Sequence, residues 1–84
     1  MPTLRIKPPA EKDIRDLPDS IRKRIMQAIM ALRDDPSPRQ AQKLQGQDHH
    51  YRLRVGDYRI LYEFGAEQQV ITIYRVKHRR EAYR

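Results

Sequence analysis

In Tyr51-Arg52-Leu53-Arg54-Val55-Gly56-Asp57-Tyr58-Arg59-Ile60-Leu61-Tyr62, Tyr51, Leu53 and Val55 alternate with arginines before a Gly-Asp pair, and Tyr58, Ile60 and Tyr62 alternate with Arg59 and Leu61 after it. A period of two is the signature of a half-buried strand, and a two-residue loop that begins with glycine suits the type II′ turn of a tight hairpin. A register follows from the loop. Val55 faces Tyr58 and Arg54 faces Arg59 across the strands, while Arg52, two residues back, shares their face. Tyr51, Leu53, Val55, Tyr58 and Ile60 then share the opposite face, turned toward a core.

Directly opposed like charges destabilise a sheet. An anion held among Arg52, Arg54 and Arg59 removes that penalty, because guanidinium groups stay charged and their forked donors match phosphate oxygens. The alternative is a solvated strand face with the arginines splayed into water. Arg59 and Arg79 are expected to be exposed, so that removing either costs folding only about 0–1 kcal/mol.

The flanking sequence extends the pattern. Beyond the hairpin, Gly65-Ala66-Glu67-Gln68 makes a turn, and Val70 to Val76 is a β-branched run that predicts a further strand. The tail from Lys77 to Arg84 holds His78, Arg79, Arg80 and Tyr83 and predicts a last helical turn. On the other side, residues 39–49 read as a polar connection without a period. Before it, Ile21, Ile25, Ala28, Ile29 and Leu32 form one apolar stripe at helical spacing, entered at Leu17-Pro18-Asp19 and ended by Asp35-Pro36-Ser37-Pro38. Ala10, Ile14 and Leu17 predict a shorter helix over 9–17. Thr3 to Lys7 alternates as a first strand, stopped by Pro8-Pro9. The expected fold is α+β: an N-terminal strand, a helical hairpin packed on a mostly antiparallel sheet of about four strands, and a short C-terminal helical tail.

Eighty-four residues suit one domain over 1–84 with a thin core, so any chemistry belongs on a surface or in a shallow groove. The absence of cysteine excludes a disulfide framework, a cysteine-based zinc site and a thiol nucleophile. No apolar run approaches a membrane span and no signal-peptide segment opens the chain, so a cytoplasmic protein without membrane association is expected. His49 and His50 are adjacent and point apart if extended. With no H-E-x-x-H, carboxylate cluster or glycine-rich phosphate loop, neither metal nor cofactor is expected. The formal charge is +7, and its placement is uneven. Residues 10–35 balance six basic against six acidic side chains, whereas residues 52–84 carry eight against four. Such an excess suits a polyanionic partner, either nucleic acid or an acidic protein segment.

Three ordered segments carry a family resemblance: Lys43-Leu44-Gln45-Gly46, the Tyr51–Tyr62 hairpin, and Val76-Lys77-His78-Arg79-Arg80-Glu81-Ala82-Tyr83. Together they resemble a toxin of the RelE/ParE superfamily of type II toxin–antitoxin systems, the RelE branch in particular. The likeness spans nearly the whole chain. It implies a ribosome-dependent endoribonuclease that cuts messenger RNA in the A site by metal-independent attack of the 2′-hydroxyl on the adjacent phosphate. By position it implies that Arg59 and Arg79 stabilise charge on the phosphate. Tyr83 orients or deprotonates the nucleophile or stacks on a base, and Arg52 and Arg54 line the cut. Lys43, His78 and Arg80 are expected to touch RNA. The family's best-known member carries lysine at the positions of Arg52 and Arg54, and arginine is a very poor general base. Tyr83 and His78 are therefore the candidate bases. The implied partners are an acidic RelB-like antitoxin, the ribosome with its mRNA, and operator DNA through the antitoxin complex. Two other functions fit the same scaffold: a ParE-like poison of DNA gyrase, and a non-catalytic antitoxin-binding co-repressor module.

Overall fold

The computed structural model describes residues 2–44 and 49–82, the last two as backbone only. Strand β1 (Thr3–Ile6) leads into α1 (Pro8–Arg15) and α2 (Asp19–Ala31). Then follow β2 (Ala41–Lys43), β3 (His50–Val55), β4 (Tyr58–Gly65), β5 (Val70–His78) and the short α3 (Arg79–Ala82). The strands form one sheet in the order β1-β5-β4-β3-β2, in which only β1 and β5 run parallel. The expected α+β architecture is present with one strand more than the sequence suggested. Ala41–Lys43, inside the apparent connection, pairs antiparallel with Leu53–Tyr51 as an edge strand. Three residues are too few to display a period.

Specific groups delimit α1. Pro8 opens α1, where its missing N–H costs nothing. At its other end the Arg22 guanidinium donates to the carbonyl oxygens of Ile14 (3.2 Å), Arg15 (3.1 Å) and Leu17 (2.8 Å), and its other arm reaches Asp19 at 2.7 Å. The Ile14 carbonyl also accepts the Leu17 N–H at 3.2 Å, so backbone and the one α2 side chain together close the end of α1, and Arg22 ties the two helices to each other. The α2 stripe behaves as its spacing predicts: Ile25 and Ile29 are fully buried and Leu32 nearly so. They pack with Ala10 and Ile14 of α1 against Leu53, Ile60, Tyr62, Ile71, Ile73 and Val76 from the sheet. Tyr62 stacks on Tyr51 at 5.3 Å between centroids and donates its hydroxyl to Pro36 O at 2.7 Å, and its burial raises the phenol's pKa.

The parallel edge of β5 is protected by an unusual device. Lys7 N–H bonds Ile73 O, and there β1 ends. Past that point the Asp13 carboxylate of α1 replaces the missing strand: its Oδ2 accepts the Val76 N–H at 2.9 Å and Arg75 Nε at 2.7 Å, and its Oδ1 accepts Arg75 Nη2 at 3.0 Å. Burial opposes ionisation of Asp13, but these hydrogen bonds and the Arg75 and Lys77 charges outweigh it and hold the carboxyl below its ordinary pKa. One side chain thereby blunts an edge and ties α1 to the sheet.

Candidate functional site

The helices cover one face of the sheet and leave the other open. The hairpin register is the one its loop predicts, with Val55 opposite Tyr58 and Arg54 opposite Arg59. Gly56 has φ +58° and Asp57 does not share a positive φ, as a turn with glycine in the first loop position requires. Arg59 is in turn opposite Lys77 of β5, and Arg52 lies opposite Gln42 of β2 and Leu61 of β4.

On this open face Arg52, Arg54 and Arg59 line a groove of about 390 Å³, joined by Arg39, Gln40 and Gln42. Arg52 donates to Gln42 Oε1 at 2.9 Å, which aims its guanidinium along the groove. Arg54 is exposed. Arg59 is not: it retains 6% of its surface, and its Nη1 donates to Gly56 O at 3.3 Å and Tyr58 O at 3.0 Å. Its expected exposure is therefore corrected, because groove walls and the turn's own carbonyls enclose the side chain. A partly desolvated guanidinium beside further cations and amide groups forms a pre-arranged site for an oxyanion.

The other described candidates do not line this groove. Lys43 is an exposed β2 residue in register with Tyr51, on the row that alternates away from Arg52. His78 pairs with Tyr58, and its ring meets the Tyr58 ring edge-on at 5.3 Å. Arg79 opens α3 with its N–H on Asp57 O at 2.7 Å, while its Nε stands 3.9 Å from Asp57 Oδ1. Arg80 is exposed, its N–H bonded to His78 Nδ1 at 3.3 Å. Tyr83 and Gly46 lie outside the described residues. Sequence reasoning missed Arg39, Gln42 and Lys77. For Lys77 the signal was available, since extending the Val70–Val76 strand by one residue places it beside Arg59. Among the described residues no group of three or more histidines and carboxylates stands together as a metal site, and no helix is long and apolar enough to cross a membrane.

Two helices on one face of a five-stranded, mostly antiparallel sheet form the fold of toxins of the RelE/ParE class. Residues 4–83 match the family described as "ParE toxin of type II toxin-antitoxin system, parDE", and the chain belongs to that family. It is 36% identical over 76 residues to the toxin RelE3 of Methanocaldococcus jannaschii, covering 86% of this chain and 84% of the relative. The RelE–RelB complex from Pyrococcus horikoshii contains a chain with 30% identity and a TM-score of 0.83, covering 93% of this chain and 94% of that one. The isolated RelE toxin of E. coli has the same fold, with a TM-score of 0.81 at 21% identity over 99% of this chain and 96% of that one.

Proposed function

We propose that this toxin is a ribosome-dependent mRNA endoribonuclease. The observation that carries the reading is the convergence of Arg52, Arg54 and the enclosed Arg59 on one groove, with Lys77 in register beside Arg59. In the reaction the substrate's 2′-oxygen attacks the adjacent phosphorus and the bond to the 5′-oxygen breaks. The products are a 2′,3′-cyclic phosphate and a free 5′-hydroxyl, the proton passing from the first oxygen to the second through a base and an acid. Arg59, Arg52 and Arg54 stabilise the charge that builds on the phosphate oxygens, which requires fixed donors rather than a titrating group. Arg79 and Tyr83 act from the tail, where Tyr83 handles the proton or stacks on a base. Arg80, His78 and Lys43 contribute contacts to RNA outside the groove. The ribosome supplies the positioned substrate that an open, shallow groove does not hold on its own.

An acidic antitoxin is the proposed partner. Relatives crystallise with RelB, and an apolar groove of about 360 Å³ between α2 and β3 adjoins the cationic one, sharing Gln40 and Arg54 with it. An amphipathic acidic segment would seat apolar side chains there and pair its carboxylates with the arginines. The ParE description of the matched family favours a second reading, a gyrase poison on the same scaffold. Primer extension on mRNA incubated with the toxin and programmed ribosomes separates the two. Cuts within A-site codons, absent on naked RNA, are expected. An intact message together with inhibited supercoiling by purified gyrase would overturn the nuclease reading.

A further inference from the structure

The far end of the open face carries a second polar cluster, built around an irregularity in the sheet. Pairing between β4 and β5 steps from Leu61↔Arg75 to Tyr62↔Ile73, so no residue of β4 opposes Tyr74. Bulges of this kind re-aim a side chain. Here the extra residue brings Tyr74 onto Glu63 and His50, which face each other across β4 and β3. The Tyr74 hydroxyl donates to Glu63 Oε2 at 2.6 Å and lies 2.7 Å from His50 Nε2, itself 3.0 Å from the same carboxylate oxygen. His50 Nδ1 is buried with no partner among the described residues, so the ring proton belongs on Nε2, where an acceptor waits.

Two donors thus converge on Glu63 Oε2, and among the described residues none reaches Oε1. The Tyr74 hydrogen bond, opposed by desolvation and reinforced by His50, holds the carboxyl below its usual pKa, so it is ionised at neutral pH. Its side chain keeps 44% of its surface. An ionised carboxylate accepts and never donates. The cluster therefore asks for a ligand that donates, on a face whose other charges attract an anion. Arg5 and Lys7 border the adjoining depression of about 380 Å³, and the arginine groove lies on the other side. A cationic peptide meets repulsion from both directions. A nucleotide chain satisfies both demands: phosphates for the cations, and a base whose exocyclic amine donates to Oε1, whereas uracil's single ring donor, N3–H, lies between two carbonyl oxygens that a carboxylate repels. The His50 and Tyr74 rings, edge-to-face at 5.4 Å, add surface for a heterocycle to pack on.

We infer that His50, Glu63 and Tyr74 form a base-reading subsite for single-stranded RNA that accepts adenine, cytosine or guanine over uracil. His50 and Glu63 stand four residues along their strands from Arg54 and Arg59, about 13 Å away, so the base read belongs to a nucleotide flanking the phosphate held by the arginines. The inference rests on the nuclease reading for its biological meaning, but binding tests it without cleavage.

The probes are short single-stranded oligonucleotides, fully 2′-O-methylated to remove the nucleophile, of adenine, cytosine or uracil alone. Titration followed by the ring resonances of His50 and Tyr74 should show adenine and cytosine probes binding about tenfold more tightly than uracil, the worth of one hydrogen bond to a charged acceptor. Glu63→Gln keeps an oxygen for Tyr74 and His50 and turns an amide N–H outward, so preference should swing toward the carbonyls of uracil. A merely structural role would lower the melting temperature without that reversal. Should Glu63→Gln not fold, Tyr74→Phe removes one of the two donors that aim the carboxylate and must narrow the discrimination. Equal affinity for all three probes, or shifts confined to the arginine groove, would overturn the subsite. If the parent binds with this preference but cuts no ribosome-bound message, the nuclease reading falls and the subsite stands. If it cuts and Glu63→Gln cuts with an unchanged base preference, the reverse holds.

Discussion

Replacing Asp13 with asparagine tests the device that closes the sheet. The variant keeps one oxygen for the Val76 N–H but faces the two Arg75 donors, at 2.7 and 3.0 Å, with an uncharged amide that satisfies at most part of them. The Asp13 side chain is 17% exposed and Arg75 41%, so the pair is neither fully buried nor freely solvated. Net hydrogen bonds to charged groups are worth about 1.5–3 kcal/mol, and Arg75's access to water places the loss near 2 kcal/mol. For a domain of this size that is a fall in melting temperature of about 8–16 °C. The pH dependence supplies a second signature. Because the folded-state pKa of Asp13 is depressed, its contribution is complete above the unfolded carboxylate value and is lost as pH falls through the folded one. Parent and variant should thus differ most at neutral pH and converge as the pH is taken below about 4. Thermal and urea unfolding across that range measure both effects. A neutral-pH difference below about 3 °C, or one that persists undiminished into acid, would refute the clamp.

Arg59→Ala and Arg79→Ala should both abolish toxicity, each with a loss of about 10²–10³ in cutting rate, but they should part in stability. The enclosed Arg59 gives up two bonds to carbonyls and about 1–3 kcal/mol, whereas Arg79, 54% exposed and 3.9 Å from Asp57, gives up almost nothing; equal unfolding midpoints would contradict this. Arg22→Ala should leave toxicity intact at low temperature and cost about 1–2 kcal/mol in denaturant unfolding, since the Arg15 and Leu17 carbonyls lose the guanidinium donor and Ile14 O keeps only the Leu17 N–H. A cognate acidic antitoxin should raise the melting temperature with concentration and associate faster at low salt, and stopped-flow rates indifferent to ionic strength would exclude the cationic groove from its interface.

Much of this was legible because local chemistry dictated it. The alternation around Gly56-Asp57 gave the hairpin register residue by residue, and the Ile21–Leu32 stripe gave the core face of α2. Other features depend on partners far away along the chain. Asp13 and Arg75 stand 62 residues apart, and nothing near either marks the pair. Alternation assigns Arg59 to a face but does not say that the groove walls will cover it. The Tyr74 bulge did leave a trace: the buried positions Ile71, Ile73 and Val76 break the period of two, which a regular strand cannot do without turning an apolar side chain outward. The roles of the tail remain carried by the family likeness, since periodicity is silent about a segment of so few residues.

The Gly56-Asp57 turn joins the separate parts of the candidate site. Its length fixes which residues face each other, and a slip of one would carry Arg52 and Arg54 to the helix-covered face and bring Leu53 and Val55 into solvent. The carbonyls of Gly56, in the loop, and Tyr58, just after it, hold the Arg59 guanidinium, so the same turn fixes that cation's position. The carbonyl of Asp57 receives the Arg79 N–H, which anchors the start of α3, and with it the tail, at this end of the hairpin. Groove and tail therefore share one mechanical reference. A partner that displaced the tail would have to break the Arg79–Asp57 contact, yet the arginine register, secured by pairing along β3, β4 and β5, would survive. Displacement of α3 would thus be reversible, since the groove would keep its shape while the Arg79–Asp57 contact was broken.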